Sequence, residues 1–268
     1  MTRMPIEIRV LTEIEEFEAV SDIESAVWDV HPRDAVSPHF LRATEAAGGV
    51  SLGAYDQQAM VGMAMAFPAY RDGKVSLWSH MTGVLPGQQR NDIGFQLKQA
   101  QRAWALEHGI DQIRWTFDPF LRGNANFNLH RLRAAAYRYH VNFYGDMTDG
   151  LNKGLPSDRL EACWNLLNER VVAAANGNTS VEPARAFQRE HLLLAVGEDQ
   201  QPVMLNPALE APLLLVEIPQ ATRALPVEQQ LAWRFAVRAA LDPRLAAGWY
   251  AYAFHQVDGH AWYELRPV

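Results

Sequence analysis

No stretch of this chain restricts its fold more than residues 74–117. Residues 74–84 alternate like a strand, a short polar bend follows, and residues 92–107 carry Ile93, Leu97, Ala100 and Trp104 along one helical face. Gly109 closes that helix and residues 110–117 again read as a strand. A strand, a tight bend, an amphipathic helix and a second strand must fold as a β–α–β unit, with the helix laid over a sheet. The bend carries a second implication. Amides in the first turn of a helix have no intrahelical acceptor, and the helix dipole adds partial positive charge there. The segment Gln89-Arg90-Asn91-Asp92-Ile93-Gly94-Phe95 is therefore a candidate seat for an anionic group, with Arg90 adding a formal charge.

The elements before and after this unit set the rest of the architecture. A strand is expected over residues 6–10 and a helix over 13–27. A shorter helix follows, capped by Ser37 and ended by Gly48-Gly49. Strands over residues 50–55 and 60–68 precede the β–α–β unit, joined by turns at Asp56-Gln57-Gln58 and Arg71-Asp72-Gly73. A short helix over 124–132 and a strand over 137–144 follow it. Strands that meet first by hairpins and then through helices imply a mixed α/β sheet. The polar, glycine-containing residues 145–156 read as a boundary, dividing the chain into residues 1–150 and a smaller α/β region, 151–268. In that second region strands are expected over 192–196, 213–218, 249–254 and 261–266, and a helix over 227–241 begins at Pro226. Residues 176–183 read as a loop. Glu217-Ile218-Pro219, a polar loop, the helix, Gly248 and a strand parallel the unit that starts at Val84-Leu85-Pro86. The second region is therefore expected to be a partial, degenerate copy of the first, or simply another β–α–β unit. Arg234 and Arg238 lie four apart on its helix and read as a solvated edge rather than an anion site.

Composition narrows the classes. A formal charge of −7, from 31 acidic against 24 basic residues, argues against a broad nucleic-acid surface. No apolar run approaches the roughly 18 residues a membrane span needs, and the amino terminus does not read as a secretion signal, so a cytoplasmic protein is expected. Cys163 is the single cysteine, which precludes an intrachain disulfide, and its apolar neighbours suggest a buried structural thiol. No histidine spacing suits a metal, so none is expected. Gly49-Val50-Ser51-Leu52-Gly53 matches a hydrolase nucleophile pattern. That pattern needs a helix after the serine, where a turn and a strand are expected instead.

The bend residues carry a family resemblance. Val84-Leu85-Pro86, Gln89, Gly94 and Leu97 resemble the acyl-CoA signature of the GNAT acyltransferases, Gln/Arg-x-x-Gly-x-Gly/Ala after a strand ending in Val-x-Pro. The element order over residues 6–144 is similar to that fold. Trp115-Thr116-Phe117-Asp118-Pro119, the Asn124–Asn128 segment, Asn142-Phe143-Tyr144-Gly145, Gly154-Leu155-Pro156-Ser157-Asp158-Arg159 and Trp233-Arg234-x-x-x-Arg238 resemble one branch with a C-terminal extension. The resemblance implies an acyl-CoA co-substrate. Its pyrophosphate would lie on the amides of residues 89–95, its pantetheine arm along the strand edge at Val84, and Asn124 would contact it or cap the short helix. It implies transfer of an acetyl or succinyl group to a primary amine of a small molecule, such as an amino acid. A non-catalytic CoA sensor and a protein-modifying acyltransferase are the alternatives, and a homodimer is the expected assembly if the chain associates. Three departures stand out: Asp92 replaces the signature's first glycine, Leu129 falls where many members carry a tyrosine acid, and Arg133-Ala134 replaces a common Gly-Phe.

Amine acylation needs a base for the amine and a donor for the departing thiolate. His80, placed by alternation on one strand face with Thr82 and Val84, is a candidate base or water relay. Asp118, at the end of the following strand, is another candidate, or the start of a turn. Tyr144 is a candidate proton donor, or packing. Trp28, His31, Asn142, Asn152 and Arg159 are looser candidates for the acceptor pocket.

Overall fold

The computed structural model describes residues 5–89, 92–145, 154–177 and 188–268. Its contacts group the chain into two compact units, one running to Trp115 and one beginning at Thr116.

The first unit is built on strands β1 (Glu7–Val10), β2 (Val50–Asp56), β3 (Ala59–Arg71), β4 (Lys74–Val84) and β5 (Gln112–Phe117). Neighbours up to β4 are antiparallel, and β4 and β5 are parallel. Helix α1 (Ile14–Trp28) starts at Glu13, where the Glu16 carboxylate reaches back to the Glu13 amide in a capping box. Helix α2 (Pro38–Ala46) starts at Ser37, whose hydroxyl accepts from the Phe40 amide at 3.1 Å. Both helices cover one sheet face, where Phe17, Val20, Ile23 and Leu41 pack with Met63, Met65 and Met81. Helix α3 (Ile93–Glu107) covers the other. It approaches β3 at Gly62, where a Cβ would meet Ile93 at 3.2 Å and Leu97 at 3.4 Å. Ser51 lies inside β2, and β3 follows it, so no nucleophile elbow forms.

The second unit holds the sheet β7-β6-β11-β12-β10-β8-β9. Its strands are β6 (Ala135–His140), β7 (Arg159–Asn165), β8 (Leu192–Val196), β9 (Pro202–Met204), β10 (Leu214–Glu217), β11 (Trp249–Val257) and β12 (His260–Pro267). Helices α4 (Arg122–Ala125), α5 (Glu169–Ala175) and α6 (Val227–Ala246) accompany them. The short helix expected over 124–132 is α4 followed by a π-helical turn, Asn126–Arg131. The strand expected over 137–144 ends at His140, because a turn with Asn142 at φ 48° stops it. Helix α6 runs past its expected end and through Pro243.

The resemblance between the two β–α–β segments is limited to their element order. β4 and β5 are hydrogen-bonded neighbours, whereas β12 lies between β10 and β11. Cys163, expected to be buried, is half-buried on β7.

Candidate functional site

In the first unit β4 and β5 form a fork. Their ladder holds at Leu77–Ile113 and Trp78–Arg114, and each strand then runs on. One residue gives β4 its shape there. Opposite Met65 and Ala66 of β3 stand Met81 and Ser79, so His80 is an extra residue, a β-bulge. The bulge breaks the alternation that placed His80 with Thr82 and Val84. Met81 packs in the α1–α2 cluster, and the His80 ring lies 6.0 Å from Phe67, which packs against that cluster. Ser79 faces α3 instead, where Lys98 bonds it. The His80 side chain reaches solvent, yet the protein around it lowers its pKa below the ordinary 6.5 by desolvation. Such an imidazole is neutral at neutral pH and free to accept a proton. Near the same strand, Trp28 packs over the backbone at Gly83, where a Cβ would meet its ring at 3.0 Å.

At the far end of β4 the chain turns through Leu85–Gln89, with Gly87 at φ 83° and the Gln88 amide bonded to the Leu85 carbonyl. Helix α3 begins with the bond from the Gln96 amide to the Asp92 carbonyl at 2.9 Å, so the Ile93, Gly94 and Phe95 amides precede its ladder. Asp92 makes no side-chain cap and stands in the left-handed region, φ 53° and ψ 21°. That conformation explains why a glycine suits this position, and Asp is one of the few other residues that tolerate it. Gln89 and Asp92 are exposed, while Val84, Gly94 and Phe95 are half-buried and Ile93 is buried. Arg90 and Asn91 lie outside the described residues, as does Asn152.

Sequence reasoning missed Lys98. It is 3% exposed, donates from Nζ to Ser79 Oγ at 2.9 Å and to Gln101 Oε1 at 2.9 Å, and sits 3.9 Å from the centroid of the Trp115 ring. The only sequence sign was a lysine one residue beyond Leu97, on the rim of the apolar stripe of α3.

Apart from His31, the remaining candidates belong to the second unit. Both Asp118 oxygens are held by Arg234, at 2.7 and 3.2 Å, and Oδ1 also accepts from the Phe120 amide at 2.9 Å. Arg238 grips both oxygens of Asp158 at 2.8 Å each, and Tyr139 donates to the same carboxylate at 2.7 Å. Arg234 and Arg238 are thus not a solvated edge. They tie the motif on α6 to the Asp118 turn and to the Ser157-Asp158-Arg159 segment. Asn142 accepts from the Ser157 amide at 3.1 Å and donates its own amide to Asp158 at 3.0 Å. Arg159 is buried and donates to the Asp158 carbonyl, while Tyr144 is exposed, with its hydroxyl 3.5 Å from Thr116 Oγ1. Asn124 is exposed on α4, and His31, in the first unit, is exposed with its ring accepting from the Arg33 amide. Among the described residues no cluster of His, Cys, Asp or Glu could hold a metal ion, and no helix is long and apolar enough to cross a membrane.

Neither a family model nor a curated protein matches the sequence. Solved structures similar to this chain include acetyltransferases. One from Desulfovibrio desulfuricans, assigned to the GNAT family, shares 16% identity over 60% of this chain and 99% of its own, with a TM-score of 0.48. Naa50 of Arabidopsis thaliana, solved with the bisubstrate analogue CoA-Ac-MVNAL, shares 13% identity over 60% of this chain and 98% of its own, with a TM-score of 0.48. An N-acetyltransferase from Staphylococcus aureus shares 13% over 62% and 100%, with a TM-score of 0.46.

Proposed function

We propose that the chain is an acyl-CoA-dependent N-acyltransferase of the GNAT type, moving an acetyl or succinyl group to a primary amine of a small molecule. The observation that carries this reading is the fork of β4 and β5, parallel strands that separate beside a bulge, next to a bend that feeds the amino terminus of α3. The free edge of β4 between His80 and Val84 offers backbone groups to an extended amide arm. Gln89, Arg90 and Asn91, which precede α3 in the sequence, its N-cap residue Asp92 and the first-turn amides of Ile93, Gly94 and Phe95 would supply donors to a diphosphate. His80 takes the amine's proton. No part in the transfer is assigned to Asp118, whose carboxylate is committed to Arg234, or to Tyr144 and Asn124.

The acidic Asp92 beside the diphosphate seat favours a second reading, a sensor that binds CoA thioesters without turning them over. A thermal-shift series with acetyl-CoA and succinyl-CoA, followed by thiol release across a panel of amino acids and other amines, tests both. A thioester at 100 times its dissociation constant should stabilise the protein by about 2.7 kcal/mol. A shift without thiol release supports the sensor, and no shift with any thioester overturns both readings.

A further inference from the structure

The acyl-transfer reading above gives Lys98 no role, yet it is a buried amine in the first unit. It is 3% exposed, and a long apolar residue would occupy the same space without the desolvation penalty of an amine. Its surroundings are specific. Ser79 of β4, Gln101 of α3 and Trp115 of β5 contact its Nζ. Ser79 and Trp115 stand one position beyond the last β4–β5 rung, so the amine occupies the crotch of the fork. The Ser79 hydroxyl accepts from Lys98, which leaves its own proton to be donated onward.

We propose that Lys98 and Ser79 form a proton relay serving the thiolate that leaves in this fork, an inference that rests on the acyl-CoA reading. As the amine nitrogen bonds to the thioester carbon and the C–S bond breaks, sulfur takes the Ser79 hydroxyl proton. Ser79 takes one from the Lys98 ammonium, and neutral Lys98 recovers its proton from water. The nitrogen's surplus proton leaves through His80. Burial lowers the Lys98 pKa to about 7, so near neutral pH the amine is both protonated and ready to give the proton up.

The test uses the full chain with Lys98→Met, Ser79→Ala and the double variant, assayed by thiol release, with acyl-CoA affinity measured by calorimetry. Each single variant should lose at least about 100-fold in kcat. The double variant should lose no more than the worse single one, because the two residues act as one unit. Wild-type kcat should fall as pH rises past about 7, and Lys98→Met should lack that descending limb. Lys98→Arg, charged but unable to release a proton, should not restore the rate. Turnover by Lys98→Met at the wild-type rate, or with the limb intact, overturns the relay. If that variant does not fold, additive losses in Ser79→Ala and Ser79→Ala/Lys98→Arg overturn it instead. A wild-type protein that binds no thioester sinks the acyltransferase reading, whereas an active wild type with an indifferent Lys98→Met sinks the relay alone.

Discussion

His80 and Asp92 show how much a single backbone irregularity decides. As an extra residue in β4, His80 turns toward Phe67 and away from the α3 face. Replacing it with alanine should cut kcat at least about 100-fold while leaving thioester affinity intact, as single-turnover and binding assays would show. Desolvation lowers its pKa, and the neutral imidazole is the acting form. The rising limb of kcat/KM should therefore lie below pH 6.5 and vanish in the alanine variant. Asp92 holds a left-handed backbone and brings a negative charge to the amides that would receive a diphosphate. Asp92→Gly keeps that conformation at lower strain and removes the charge. It should tighten CoA binding by about 3-fold or more at low ionic strength, with the gain shrinking as salt is added.

The elements of the second unit are joined by ion pairs rather than by apolar contact alone. Removing Arg234 leaves a carboxylate 5% exposed without its counter-charge, so Arg234→Met should destabilise the protein by about 3–5 kcal/mol in denaturant titration. Pairing it with Asp118→Leu should recover most of the loss. Burial raises the Asp158 pKa, but Arg238, the Asn142 amide and Tyr139 outweigh it and hold the carboxyl below its usual 3.8. The stability this contributes is complete above pH 3.8 and lost as pH falls through the depressed value, so Arg238→Met should flatten the acid limb of the stability curve. Helix α3 was legible from its apolar spacing, and Ser37 announced α2. The bulge was not, because one added residue leaves alternation readable on both sides of it. Strand β7 was also hidden. Arg159 and Glu161 look like surface residues, yet both are buried, Glu161 against His140 at 2.8 Å, so the strand carries no two-faced pattern. Lys98 was overlooked because a lysine beside an apolar stripe ordinarily reaches water.

At the scale of the whole molecule, residues 116–145 group by their contacts with the C-terminal half of the chain. Asp118 answers Arg234, the Pro119 carbonyl accepts from Tyr263, the Leu132 carbonyl accepts from Trp164, and β6 pairs with both β7 and β11. A fragment ending at residue 150 should therefore expose β6 and bind a hydrophobic dye such as ANS, with a broadened unfolding transition, while the full chain melts sharply. The bulge in β4 has one more effect. In the acyl-transfer reading, a proton acceptor and a proton donor left within reach of each other would trade the proton and idle. Here His80 stands on the α1–α2 side of the sheet and Lys98 with Ser79 on the α3 side. In that reading the strand between them would work as an insulating wall, and a reactant threaded through the gap would be touched from both sides.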